Sequence, residues 1–93
     1  MSTAESESAR AVWRCLADPT RRALLERITD SPGITTGELR SSAPGLTRWA
    51  VMKHLAILRA AGLLHTMAEG RHRRHYPDLA GLEPLRTWLL PRP

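Results

Sequence analysis

Apolar residues recur at helical spacing along the first two thirds of the chain and then give way to two short runs of strand length. Ala9, Val12, Trp13 and Leu16 stand at i, i+3, i+4 and i+7, which predicts a first helix with one buried face. It stops at Asp18-Pro19, where a capping carboxylate followed by proline at the first helical position opens a second helix. Leu24, Leu25 and Ile28 form the apolar stripe of that helix, and Ser31-Pro32-Gly33 ends it. Thr35 and Glu38 have capping-box spacing, so Thr36 to Ser42 is a short third helix with Leu39 turned inward. After the turn Ala43-Pro44-Gly45, Thr47 caps a fourth helix that runs to Ala61, and Gly62 suits the left-handed stop beyond it. Leu63 to Ala68 and His72 to Tyr76, joined by Glu69-Gly70-Arg71, then read as a β-hairpin. Asp78 caps a last helix, with Leu79, Leu82, Leu85 and Leu89 along one face and Trp88 beside them.

The order is therefore α-α-α-α-β-β-α, a mostly α fold with a small β-hairpin (α+β). Ninety-three residues make a single domain, here residues 9–90. Residues 1–8, small, polar and acidic, are expected as a disordered tail, and Pro91-Arg92-Pro93 as a second tail. A domain of this size buries only about 60–65% of the surface of its unfolded chain, so a partner surface that adds to the core is expected. No apolar run approaches the roughly 18 residues of a membrane span, and the start of the chain has neither the basic nor the apolar region of a signal peptide. With a single cysteine, Cys15, no internal disulfide forms, and a cytoplasmic protein with no membrane partner is expected.

The charge changes the picture because of its position. The stretch Thr47 to Tyr76 holds Arg48, Lys53, Arg59, Arg71, Arg73 and Arg74 against one acid, Glu69, and this excess of five equals the net charge of the whole chain. A localised basic footprint points to a polyanion. At about 100° per residue, Val51, Leu55 and Leu58 form the buried side of the fourth helix. The opposite arc carries Trp49, Met52, Lys53, Ala56 and Ala60, flanked by Arg48 and Arg59. Small residues let a helix backbone approach a duplex, and Lys53 and Arg48 reach phosphates or guanine acceptors. Trp49 and Met52 either meet thymine methyls or form a second packing surface. On the hairpin, alternation sends Arg71 and Arg73 to one face and His72 and Arg74 to the other, within reach of phosphates or a narrow minor groove.

Three segments in this order resemble the ArsR family of regulators. Ala17-Asp18-Pro19-Thr20-Arg21-Arg22 with Ala23-Leu24-Leu25 is similar to that family's second-helix opening. Gly45-Leu46-Thr47 through Val51-Met52-Lys53-His54-Leu55 to Gly62-Leu63 is similar to its recognition helix, and Glu69-Gly70-Arg71 to Tyr76 to its wing. The resemblance implies a winged helix-turn-helix that dimerises through its first and last helices, with Val12, Trp13, Leu82, Leu85 and Leu89 at the interface. It implies a homodimer that binds double-stranded DNA at an inverted-repeat operator as a transcriptional repressor. Base contacts would fall on Arg48, Trp49, Met52 and Lys53, with Thr47 and His54 beside them and Arg71, Arg73 and Arg74 on the wing. Trp49 and Met52 depart from the small or polar residues usual in the family.

The resemblance also implies sensing sites that this chain lacks. Thr35-Thr36-Gly37-Glu38-Leu39 holds no cysteine, the last helix offers only Glu83, and one thiol cannot close a metal site. His72 and His75, three apart on a strand, face opposite sides. Neither a metal nor a cofactor is expected. With no phosphate loop and no nucleophile paired to a base, an enzyme is not expected either. The rival classes are a winged-helix protein-interaction module and a non-specific DNA-binding protein.

Overall fold

Asp18 divides the first two helices. Its carboxylate accepts the backbone N–H groups of Thr20 and Arg21 at 2.8 and 3.1 Å, while Pro19 occupies the first turn, where an N–H would have no partner. In the computed structural model, which describes residues 3–89, α1 spans Thr3–Ala17 and α2 Pro19–Asp30. They are followed by β1 (Ile34–Thr35), α3 (Thr36–Ser42), α4 (Arg48–Ala60), β2 (Leu64–Glu69), β3 (His72–Pro77), a 3-10 turn (Leu79–Leu82) and α5 (Glu83–Leu89). The capping box at the start of α3 is complete, with Thr35 Oγ1 accepting from the Glu38 N–H and Glu38 accepting from the Thr35 N–H.

Three differences from the sequence-based expectation stand out. Residues 3–8, expected as part of a tail, continue α1 toward the N-terminus, since no Gly or Pro interrupts them; the tail expected at residues 91–93 lies outside the described residues. The hairpin gains a third strand: β1 pairs antiparallel with β3, Ile34 opposite His75, so the sheet order is β1-β3-β2. The third correction concerns the last helix. Asp78 makes no side-chain cap, and residues 79–82 form a 3-10 turn. Pro84 explains this: it has no N–H to give the Ala80 carbonyl, which accepts the Glu83 N–H in the tighter i→i+3 pattern instead.

The core forms where α2 and α4 cross beneath the sheet. Leu24 and Ile28 of α2, Leu39 of α3, and Val51, Leu55 and Leu58 of α4 are all buried, with Val12 and Cys15 of α1 closing one side. Burial raises the pKa of the Cys15 thiol, and Arg21 only partly opposes this. Such a thiol stays protonated and acts as a small apolar side chain.

α4 ends in a Schellman motif: the Leu63 N–H reaches the Leu58 carbonyl at 3.0 Å and the Gly62 N–H reaches that of Arg59 at 2.9 Å, with Gly62 at φ 78°. Against this turn lies Gly81 of the 3-10 segment, so close that a Cβ there would overlap the Gly62 carbonyl. Replacing Gly81 with alanine is therefore expected to cost about 1–3 kcal/mol, with backbone displacement, in a thermal or urea melt. Gly45→Ala, which places its methyl in open space, is the matched control and should melt close to the parent.

Candidate nucleic-acid interface

Thr47 sets where α4 begins. Its hydroxyl accepts the Ala50 N–H at 3.1 Å, fixing the first turn so that Arg48 and Trp49 emerge at the exposed end of the helix. The outer arc is bare: Trp49 is 71% exposed and Met52 46%, and Arg48, Lys53, Ala56, Arg59 and Ala60 are exposed with them. The Lys53 ammonium lies 5.1 Å from the centre of the Trp49 ring, a cation–π pair one helical turn apart. His54 is half-buried, its Nδ1 shut off from solvent without a hydrogen-bond partner. It stands at the boundary of the core rather than on the bare arc.

The wing closes the other side. A groove between α3, α4 and the hairpin tip brings Arg40, Arg48, Met52, Arg71 and Arg73 together, and no carboxylate lines it. Arg71 and Arg73 are exposed; Arg74 is not free in the same sense. Its Nε donates to Glu69 Oε2 at 2.9 Å and a terminal nitrogen donates to the Gly33 carbonyl at 3.0 Å. Arg74 thus ties β3 to its two neighbours, while Arg71 and Arg73 project. Arg40 joins the cluster although the basic stretch of the sequence begins seven residues after it. No local signal could have found it, because its place depends on how α3 sits against the wing.

Beneath the groove lies His75, which no sequence argument singled out as a site residue. Alternation puts it on the Arg73 face of the strand, and the pairing of β3 between β1 and β2 buries it. Its Nε2 is 2.8 Å from Thr36 Oγ1 and its Nδ1 2.9 Å from Thr66 Oγ1, which also accepts from Arg59 at 3.1 Å. Neutral imidazole satisfies both contacts when Nε2–H donates to Thr36 and Thr66 donates to Nδ1. One ring thereby joins α3, β2 and β3, with α4 attached through Arg59. Burial first, then the charges of Arg59 and Arg73, lower the His75 pKa from 6.5 to about 4.

The residues expected at a dimer interface divide into two groups. Val12, 2% exposed, belongs to the protomer's own core, and Leu82 and Leu85 pack partly against it. Trp13 and Leu89 are exposed, and so is Trp88, giving α1 and α5 an apolar outer face. Between the two helices runs a groove lined by Ala9, Arg10, Trp13, Arg14, Leu85 and Trp88. Among the described residues no cluster of three or more His, Cys, Asp or Glu could hold a metal ion. No helix among them is long and apolar enough to cross a membrane.

The fold recurs in known proteins. A helix-turn-helix domain model matches residues 16–66. The HTH-type transcriptional regulator Rv2034 of Mycobacterium tuberculosis is 41% identical over 75 residues, which cover 81% of this chain and 68% of that protein. Among solved structures, an ArsR-like transcriptional regulator from Rhodococcus sp. RHA1 superposes with a TM-score of 0.78 at 27% identity, covering 90% of this chain and 77% of the other. HlyU from Vibrio cholerae does so at 0.76 and 27% identity, covering 96% and 98%.

The buried imidazole gives a measurable pH dependence. Because the folded state holds His75 neutral, the unfolded chain binds more protons between pH 6.5 and 4. The contribution is complete above the unfolded pKa and is lost as pH falls through that window. Between pH 7 and 5, on the order of 1 kcal/mol of stability should disappear in urea melts. In His75→Gln this part of the pH slope should be absent, whatever the variant's absolute stability.

Proposed function

The chain belongs to the ArsR-type winged helix-turn-helix transcriptional regulators, and from that premise we propose that it represses transcription as a homodimer bound to an inverted-repeat operator. The observation that carries this reading is the acid-free groove in which Arg48 and Met52 of α4 meet Arg71 and Arg73 of the wing. The outer arc of α4, with Thr47 at its cap, enters the major groove. Arg48, Trp49, Met52 and Lys53 face base edges, and the N-terminal turns of the helix make the contacts. Arg71 and Arg73 grip phosphates or the adjacent minor groove, and Arg40 joins them on the backbone. Arg74 and His54 act behind this surface, the first by holding the hairpin to β1.

A second copy covers the outer face of α1 and α5. Trp13, Trp88 and Leu89 leave apolar surface exposed on a small protomer that gains from a shared core. Two-fold symmetry then sets two recognition helices on one side of the pair, as an inverted repeat demands.

Selection of random duplex DNA by the purified protein, with sequencing of the bound pool, tests the reading. The expected result is an inverted repeat with half-site centres about 10–10.5 base pairs, or a multiple, apart. A pool without a motif would overturn sequence-specific regulation. Arg73→Ala should weaken binding across all sequences and reduce the slope of log K against log salt by about one. Trp13→Glu combined with Leu89→Glu should yield a folded monomer in sedimentation and lose operator affinity; a stable dimer would remove the α1/α5 face from the assignment.

A further inference from the structure

We propose that each operator half-site presents two neighbouring C5-methyl groups in its major groove, one received by Trp49 and the other by Met52. The inference rests on the regulator reading and names what that surface recognises. Trp49 is 71% exposed with Lys53 lying over one side of its ring, and Met52 is 46% exposed at the edge of the groove, although both are apolar and large. Their neighbours on the same arc, Ala56 and Ala60, are too small to hold the helix away from a groove floor. Hydrogen-bonding residues at positions 49 and 52 would read donors and acceptors; an indole, with a single N–H at its edge, and a thioether, only a weak acceptor, present mainly apolar surface to a major groove. The apolar feature that groove offers is the pyrimidine C5-methyl, carried by thymine.

The spacing supports a pair. Residues three apart lie on one helix face, displaced by about 4.5 Å along the axis. Successive bases on a strand are about 3.4 Å apart, so a helix inclined to the groove lays Trp49 and Met52 over adjacent bases. Lys53 completes the arrangement. With its ammonium held 5.1 Å from the indole centre, it is kept along the reading face, where base acceptors lie beside the methyl group, and one side of the ring is left for the DNA.

Two bases can carry this methyl group, thymine and 5-methylcytosine, and the experiment separates them. In the selected operator, each thymine is replaced in turn by deoxyuridine, which removes only the methyl group, and binding of the full chain is measured by titration. Two adjacent positions per half-site should each lose about fourfold in affinity, the worth of one buried carbon. Trp49→Ala should be indifferent to deoxyuridine at one of them and Met52→Ala at the other, with melting temperatures near the parent because both side chains are exposed. Cytosine and 5-methylcytosine are then compared at the same positions. Tighter binding of the methylated base supports the methyl group itself as the ligand, whichever pyrimidine carries it; no difference overturns recognition of the methyl group apart from the thymine–adenine pair. A protein that selects a motif yet ignores every deoxyuridine overturns the methyl assignment and leaves the regulator reading intact. Deoxyuridine sensitivity that persists in both alanine variants overturns the assignment to these residues. Failure to select any motif overturns both readings, and the exposed indole and thioether would then belong to a protein partner's interface.

Discussion

A helix that must be buried along one stripe and bare along the other is the constraint on which this structure turns. Val51, Leu55 and Leu58 fix α4 to Leu24 and Ile28 of α2 and to Leu39 of α3, all of them buried. Truncating such a leucine typically costs about 2–5 kcal/mol, against a total stability of about 5–15 kcal/mol for a small domain. The stripe is narrow, so it fixes rotation about the helix axis as well as position. A turn of one residue would move Trp49 and Lys53 about 100° away from the side they share with the wing.

Polar pins do for the wing what the apolar stripe does for α4. A two-stranded hairpin is marginal in water, and this one is held at both of its faces. On one, His75 reaches Thr36 and Thr66; on the other, Arg74 joins Glu69 and Gly33, and the His65 and Tyr76 rings stack 5.3 Å apart across the strands. The short strand β1 matters for the same reason: by pairing with β3 at Arg74 and His75 it covers part of the edge that would otherwise face solvent.

Much of this was legible in the sequence because the signals are local. Asp18-Pro19, Thr35 with Glu38, Thr47 and Gly62 each act through neighbours a few residues away, and each sits where its chemistry places it. The bare arc of α4 followed from periodicity alone. The unread parts depend on distant segments. β1 is two residues long and exists only because β3 is there to pair with it. His75 is buried by the strands on either side of it, and Thr36, thirty-nine residues earlier, supplies a hydroxyl to its ring. Val12 was legible as apolar but not as core rather than interface, since a helix pattern does not say what covers it. The regular spacing of Leu79, Leu82, Leu85 and Leu89 concealed the break that Gly81 and Pro84 impose.

The contact between Gly62 and Gly81 has a mechanical meaning. It joins the end of α4 on one side to the lead-in to the α1/α5 face on the other. Most seams in proteins are cushioned by side chains that change rotamer and absorb small displacements. Here backbone rests on backbone, with nothing between to yield. A tilt of the segment that leads into α5 would therefore meet main chain at the C-terminal end of α4 rather than a side chain that can turn aside.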